Sequence, residues 1–586
     1  MLYFIDFMHH KQEVLMKKYL ILVFFALLIL SLGGCNLFKS DTTDTDNMDD
    51  LVASPDFQFN TTRMVDFQLA AIDQYGFPMP LAGFEIWKDD PDAKGTMKII
   101  SSRADENAMV NQTLVLPSYY KELFIKSGDI IQKVWINAEN ETEGSIIDTF
   151  VCIPPTYETP KGLKCDYVAQ NDNGFRFYFY DMEDNCNGTT TVKFKVRNYN
   201  NRALSRVAIS LPAGVVPSQP LDGATYRSHG YRYTIESPAN NPYYSIKYET
   251  IGEGPKNGNY SYFIYKIPTS DAAAMTEITI QAKAANKIGE VTFDVDYTPT
   301  CNDSDGDGVT DDWDDYPDDS DRAFNQYTPA EGQYGTFMWE DLWPIKGDYD
   351  MNDLVLDYNV IEVYNADWEI VEVINNFYLR AAGAGFLSNG FAIQYPDFWE
   401  VDGPIVDDIG LAYADTDEQT VIFFNNHRQV FGVTGGDWIN TYPPYPFIPT
   451  VTWSVTVPMK QLWKEDKVVV PWYQAPFNPF LTQNGVRSHE IHLPDYPYTT
   501  LMNTALFDTG DDATDPGEGI YFRTENYLPW AVLLAESSDY AIERTQISDA
   551  FNYFVDWVVS DGGDYEDWYL DLPGYQNEDL IYQVPE

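Results

Sequence analysis

One stretch constrains this chain more than any other: Asp303-Ser304-Asp305-Gly306-Asp307-Gly308-Val309-Thr310-Asp311-Asp312-Trp313-Asp314, followed by Asp315, Asp318, Asp319 and Asp321. Carboxylates this dense repel one another strongly, so a cation is needed before they can curl into a compact turn. The spacing D-x-D-x-D-G supplies the solution. Oxygens of Asp303, Asp305 and Asp307 converge when the chain wraps a hard ion, and Gly308 permits the sharp turn. Val309 can offer its carbonyl, Asp311 acts directly or through water, and Asp314 closes the shell. Ca²⁺ suits such a set better than Mg²⁺, which gives up its waters reluctantly. An Asp in the closing position shortens the reach of that last ligand. No amphipathic helices flank the loop, which excludes an EF-hand pair. The trailing Asp315, Asp318, Asp319 and Asp321 could share a further ion.

A second acidic cluster follows: Glu340-Asp341, then Gly347-Asp348-Tyr349-Asp350-Met351-Asn352-Asp353. Asp348, Asp350 and Asn352 repeat the alternate spacing of a cation loop. Position six is Asp353 instead of Gly, so the turn must differ, and the apolar run from Leu354 places the loop at a strand end. A cation held by Asp348, Asp350, Asn352 and Asp353 is one expectation. The other is a polar loop capped by its own side chains, as Asp and Asn readily do.

The whole chain is acidic. Its 586 residues carry 37 Lys+Arg against 90 Asp+Glu, a net charge of −53. That balance excludes a partner gripped by its phosphates, so no nucleic acid is expected, and it favours divalent cations. Aromatics at 15% and hydrophobics at 44% are far above what a disordered acidic chain carries. Such a composition, with 37 Gly and 35 Pro, suits strands and turns.

The N-terminus predicts a compartment. Met16-Lys17-Lys18, the apolar run Tyr19–Leu32 and Leu32-Gly33-Gly34-Cys35 have the layout of a secretory signal. The apolar run is too short for a bilayer-spanning helix. The ending resembles a bacterial lipobox, which implies cleavage before Cys35, acylation of its thiol and anchoring to a membrane. Met16 is a more natural start than Met1. Residues 1–34 are thus read as signal and 35–54 as an acidic disordered tether, with an outer-membrane or cell-surface location. The remaining Cys152, Cys165, Cys186 and Cys301 form an even set without CxxC spacing, the mark of disulfides in an oxidising compartment.

Apolar alternation organises the rest. Val65, Phe67 and Leu69, then Leu114 and Leu116, then Leu123 and Ile125 predict an Ig-like β-sandwich over 55–151. Val192, Phe194 and Val196, with Ile278, Ile280, Val291, Phe293 and Val295, predict a second over 152–301, including a Cys-bearing connector. Residues 302–325 form the calcium-binding junction, and 326–586 the largest β-rich unit. There Asn389-Gly390 signals a hairpin. Phe551, Phe554, Val555 and Val558 predict one helix, capped by Ser548 and stopped by Gly562-Gly563. The fold class is all-β: tandem Ig-like sandwiches, then a larger jelly-roll-like sandwich with a few helices.

The first loop looks like the calcium repeats of thrombospondin type 3. Taken with Ala323-Phe324-Asn325, Glu340-Asp341-Leu342-Trp343-Pro344, Gly347–Val355, Glu490–Pro494, Leu528–Ala531 and Asp567–Tyr569, residues 302–586 resemble the LruC domain of bacterial lipoproteins. That resemblance implies a calcium-linked envelope lipoprotein without catalytic residues. Other candidates are weaker. His489-Glu490-Ile491-His492 lacks the i, i+4 histidines of a zinc helix, and Asp511, Asp512, Asp515 and Glu518 form a lesser acidic loop. No phosphate loop, dinucleotide fingerprint or nucleophile elbow occurs, so no enzyme is expected. Trp472-Tyr473, Tyr442 and Tyr445 lie in Pro-rich loops that could display them to sugars. The predicted function is calcium-dependent, non-catalytic binding or adhesion to an extracellular protein or glycan. The alternatives are a carbohydrate-binding surface protein or an envelope glycan hydrolase.

Overall fold

The structure, a computed structural model, describes residues 48–585 apart from 73–81, 106–107, 128–129, 137–140, 148–167, 185–188, 300–302, 386–387, 417–418, 437 and 463–470. The signal segment, Cys35, Cys152, Cys165, Cys186 and Cys301 all lie outside the described residues. Among those described, strands dominate and the helices are short, so the fold is all-β. No helix among them is long and apolar enough to cross a membrane.

The chain divides into two compact units, and the division differs from three sandwiches in a row. One unit gathers residues 166–184 and 189–299. Its four-stranded sheet runs in the order Asn259–Pro268, Thr189–Asn198, Phe175–Asp184, Val168–Asp172. Its six-stranded sheet runs Thr225–Ser228, Tyr231–Ala239, Ser245–Ile251, Arg206–Ser210, Glu277–Ala284, Lys287–Asp294. Val192, Phe194 and Val196 alternate with lysines because only one face of their strand meets the core, where Ile278, Ile280 and Phe293 of the other sheet join them.

The other unit joins residues 45–165 to 300–586. The reason is a strand pairing that periodicity cannot show. Strand Phe324–Thr328 bonds on one side to Leu354–Tyr364 and on the other, at Gln326 and Ile100, to Lys98–Arg103. One sheet therefore runs continuously from Gly83–Trp87 and Lys98–Arg103 into Leu354–Tyr364, Ile370–Ala381 and Val451–Gln461. Val65, Phe67 and Leu69 cover its N-terminal part, packing on Phe84, Ile86 and Ile125. A five-stranded sheet containing Gly390–Gln394, Thr420–Phe424 and Asn478–Thr482 supplies Phe391, Ile393 and Phe423 against Phe377 and Tyr358 of the long sheet.

Three sequence expectations are corrected here. The tether does not reach residue 54, because Met48, Leu51 and Ala53 are buried with Phe57 and Phe59 against Trp557 and Trp568. Burying these side chains outweighs the cost of ordering an acidic segment. No hairpin turns at Asn389-Gly390. Asn389 is buried, its Nδ2 donates to Asp341 Oδ2 at 2.7 Å, its Oδ1 accepts from the Asn484 N–H at 3.0 Å, and Gly390 opens a strand. The single C-terminal helix is two, Ile547–Ala550 and Phe554–Val559, because Phe551 adopts extended backbone (φ −115°, ψ 107°) and bridges Gln576. Gln546 takes the cap position in place of Ser548, and the second helix is ended by Asp561, left-handed at φ 54°, with the Gly562 N–H, one residue on, donating to the Trp557 carbonyl at 2.9 Å.

Candidate functional site

The loop Asp303–Asp314 folds around its own aspartates. Asp303 accepts from the N–H groups of Gly306 (2.7 Å) and Gly308 (3.1 Å), Asp305 from Asp307 (3.2 Å) and Asp307 from Val309 (2.7 Å). Gly306 and Gly308 sit at φ 82° and 91°, a backbone that side chains resist. One oxygen each from Asp303, Asp305 and Asp307 then lies within 4.8 Å of the others. Each of Asp305, Asp307 and Asp314 keeps a buried Oδ2 without a hydrogen-bond partner. Burial, with Asp307 and Asp305 nearby, pushes Asp314 up to about 7. A divalent ion would satisfy these oxygens and remove the repulsion at once.

Not every expected ligand is in that set. Asp311 accepts from the backbone N–H and hydroxyl of Ser304, both at 2.8 Å, and so ties the loop's start to its end. Val309, expected to offer its carbonyl, packs its side chain with Ala323 and Phe324, which leaves the carbonyl to the loop. Asp315 bonds Lys98 (2.8 Å), Ser101 and the Asn325 N–H, and Asp319 pairs with Arg322, so these two trailing aspartates have partners other than a further ion. The loop is bolted to the N-terminal strands: Arg103 donates to the carbonyls of Gly308 (2.7 Å) and Ala366 (2.6 Å). Trp313 lies flat on Gly83, where a Cβ would stand 2.3 Å from its ring. The junction, expected as a calcium-binding link between two β-rich domains, is a brace within one unit.

The second cluster is built from the end of strand Gly335–Trp339 and the loop before Leu354–Tyr364. Tyr349 and Met351 both take left-handed backbone, at φ 58° and 53°. Glu340, Asp348 and Asp350 each place a carboxylate oxygen within 4.8 Å of the others. Glu340 and Asn352 are fully buried. Glu340 Oε1 accepts from the Met351 N–H (2.9 Å), and Asp350 from the N–H groups of Asn352 (3.1 Å) and Arg544 (2.7 Å). Asn352 Nδ2 donates to the Ala541 carbonyl at 3.1 Å, which turns its Oδ1 the other way. Burial first, then the Asp348 charge, pushes Glu340 up to about 8. Asp350 is driven up by burial and Glu340, and burial raises Glu543 to about 7.

Of the four residues expected here, Asp348 and Asp350 converge with Glu340, and Asn352 lies beside Glu543. Asp353, outside that trio, accepts from the Asp341 N–H at 2.8 Å. Glu340 stood next to the motif without belonging to its spacing. Glu543 gave no signal at all, since its neighbour Arg544 is 194 positions from Asp350.

The remaining candidates resolve into packing. His492 sits between Glu490 (2.8 Å) and Asn478 (2.7 Å), and Arg487 and Thr499 complete Glu490's bonds. Asp512 accepts from the Trp343 indole at 2.9 Å. Trp472 packs beside Tyr473 at the edge of the main core. Tyr445 is different: it is 44% exposed and stacks at 5.7 Å on Trp438, with Tyr442 edge-on.

A family described as a domain of unknown function (DUF4842) matches residues 369–569, inside the 302–586 stretch. No curated protein matches. Among solved structures the chain is similar to a candidate lipoprotein from Bacteroides ovatus, at 18% identity and TM-score 0.34 over 53% of this chain and 91% of that one.

Proposed function

We propose that this chain is a lipid-anchored cell-envelope protein that binds calcium and serves a non-catalytic binding or adhesion role. The observation that carries the reading is the Asp303–Asp314 loop: a cation-binding spacing whose Asp305, Asp307 and Asp314 each present a buried oxygen with no hydrogen-bond partner. The lipobox at Cys35 and the resemblance to LruC lipoproteins support the envelope location, at the outer membrane or cell surface. Calcium there would neutralise the loop and stiffen the brace between strands Gly83–Trp87, Lys98–Arg103 and Phe324–Thr328. Calorimetry on residues 36–586 tests it. Saturable calcium binding that weakens on Asp305→Ala with Asp307→Ala is expected. Absence of heat at millimolar calcium would overturn the reading.

A second reading rests on Tyr445, 44% exposed and backed by the half-buried Trp438, since exposed aromatics are what sugar rings pack against. Retention on a glycan array that Tyr445→Ala and Trp438→Ala abolish would favour a lectin-like role. Turnover of a retained glycan would favour a hydrolase.

A further inference from the structure

We propose that Glu340, Asp348, Asp350, Asn352 and Glu543 form a second calcium site, distinct from the Asp303–Asp314 loop and set at the end of strand Gly335–Trp339 in the larger unit. Acidic residues gather on many surfaces without an ion, but this cluster carries a further mark. Glu340 Oε2 and Asn352 Oδ1 belong to side chains that are 0% exposed, and neither oxygen has a hydrogen-bond partner. An orphaned carboxylate oxygen in the interior costs far more than any neighbouring interaction on the page returns.

The surrounding chain is shaped to leave room for these oxygens. A Cβ on Gly347 would stand 1.6 Å from Glu340 Oε2. A Cβ on Gly383 would stand 2.0 Å from Asn352 Oδ1 and 3.1 Å from Glu543 Oε2, so a glycine there leaves room for both oxygens. Glu543 is held there by the Thr441 hydroxyl at 3.0 Å. Glu340, Asp348 and Asp350 fall within 4.8 Å of one another, the span across a calcium shell with bonds of about 2.4 Å. An all-oxygen set drawn from separate segments also suits calcium's loose geometry better than magnesium's strict octahedron. Asp348 is exposed, which gives the ion a way in. The bound ion would pin the Gly347–Asp353 loop and residues 541–544 to the end of strand Gly335–Trp339.

The test separates this site from the loop. Calcium content and affinity are measured by native mass spectrometry and calorimetry on residues 36–586, in the Asp305→Asn, Asp307→Asn background. That protein is expected to retain one ion, and adding Glu340→Gln with Asp350→Asn should lower its affinity more than tenfold. Unchanged affinity in the four-fold variant, or no ion left in the two-fold variant, would overturn the proposal. If the Glu340→Gln chain does not fold, terbium on the two-fold variant decides. Aromatic-sensitised emission that calcium displaces at one equivalent supports the site, and its absence refutes it. Loss of an ion with Glu340→Gln but not with the loop variant would sink the loop reading alone.

Discussion

Removing calcium should soften the larger unit by an amount that mass action sets once the saturation is chosen. Three carboxylate oxygens within 4.8 Å of one another repel by about 3.5 kcal/mol per pair at an effective dielectric near 20. Two such clusters cannot remain fully ionised and empty, so chelation forces them to take up protons or to spread. Stabilisation by a bound ion follows mass action: calcium at a hundred times its dissociation constant contributes about 2.7 kcal/mol. The unit holds roughly 400 residues. At about 2.1 cal/mol/K per residue its unfolding entropy is about 0.8 kcal/mol/K, so each ion should raise Tm by about 3 °C and two by about 6 °C. Differential scanning calorimetry at pH 7.5, with 1 mM calcium against 1 mM EGTA, gives the comparison. The smaller unit carries neither cluster, and any separate transition it shows should not move. Transitions that coincide within 1 °C in the two buffers would mean the acids are held apart without a cation, and the electrostatic argument would be wrong.

Phe59→Ala should cost about 3–5 kcal/mol in urea unfolding, since the ring is 1% exposed and meets Phe57 at 4.5 Å and Trp557 at 6.0 Å; a loss under 1 kcal/mol would deny that packing. Glu362 is buried, bonds the Tyr364 hydroxyl and is pushed by burial up to about 7. Its folded pKa lies above the ordinary 4.5, so the stability it confers is complete below about pH 4.5 and fades as pH rises through 7. Glu362→Gln should therefore gain on the parent by on the order of 3 kcal/mol between pH 4.5 and 7.5, read from denaturation midpoints. Gly83→Val should drive Trp313 off its seat, costing about 1–3 kcal/mol and red-shifting its fluorescence; an unchanged spectrum would deny the stacking.

The parts of this molecule legible in the sequence are those written in neighbouring residues. Val192, Phe194 and Val196 alternate because a half-buried strand has period two, and their burial follows the pattern. The curl of Asp303–Asp307 follows from Asp side chains that bond the backbone two to five residues on. Pairings between distant segments leave no such trace. Nothing in Gln326 announces Ile100 as its neighbour, and Glu543 resembles any other surface glutamate until the fold carries it to Asn352. Asn389-Gly390 misled for a related reason: its dipeptide suits a turn, but the side chain was already committed to Asp341. Local propensity yields wherever a tertiary partner offers more.

The buried N-terminal segment also bears on what an anchored protein of this kind can reach. If Cys35 carries lipid, only residues 36–47 separate the anchor from Met48, which is already 0% exposed beneath the larger unit. Twelve residues span at most about 42 Å when fully extended, whatever conformation they take. A disordered tether running to residue 54, as the sequence alone predicts, would make that leash longer. Fixing Met48, Leu51 and Phe57 in the core shortens that leash and sets its point of attachment beside Trp557 and Trp568. Lys346 Nζ bonds Asp49 at 2.5 Å at the same end of the segment, next to the Gly347–Asp353 loop. An ion at Glu340 and Asp350 would therefore order the loop against which the anchoring segment rests. Calcium would then govern how firmly the chain is held at its membrane-proximal end, so chelation should expose the peptide bonds around 48–54 to protease before those of the strand Leu354–Tyr364. Cleavage of both at equal rates would break the link between the ion and the anchor.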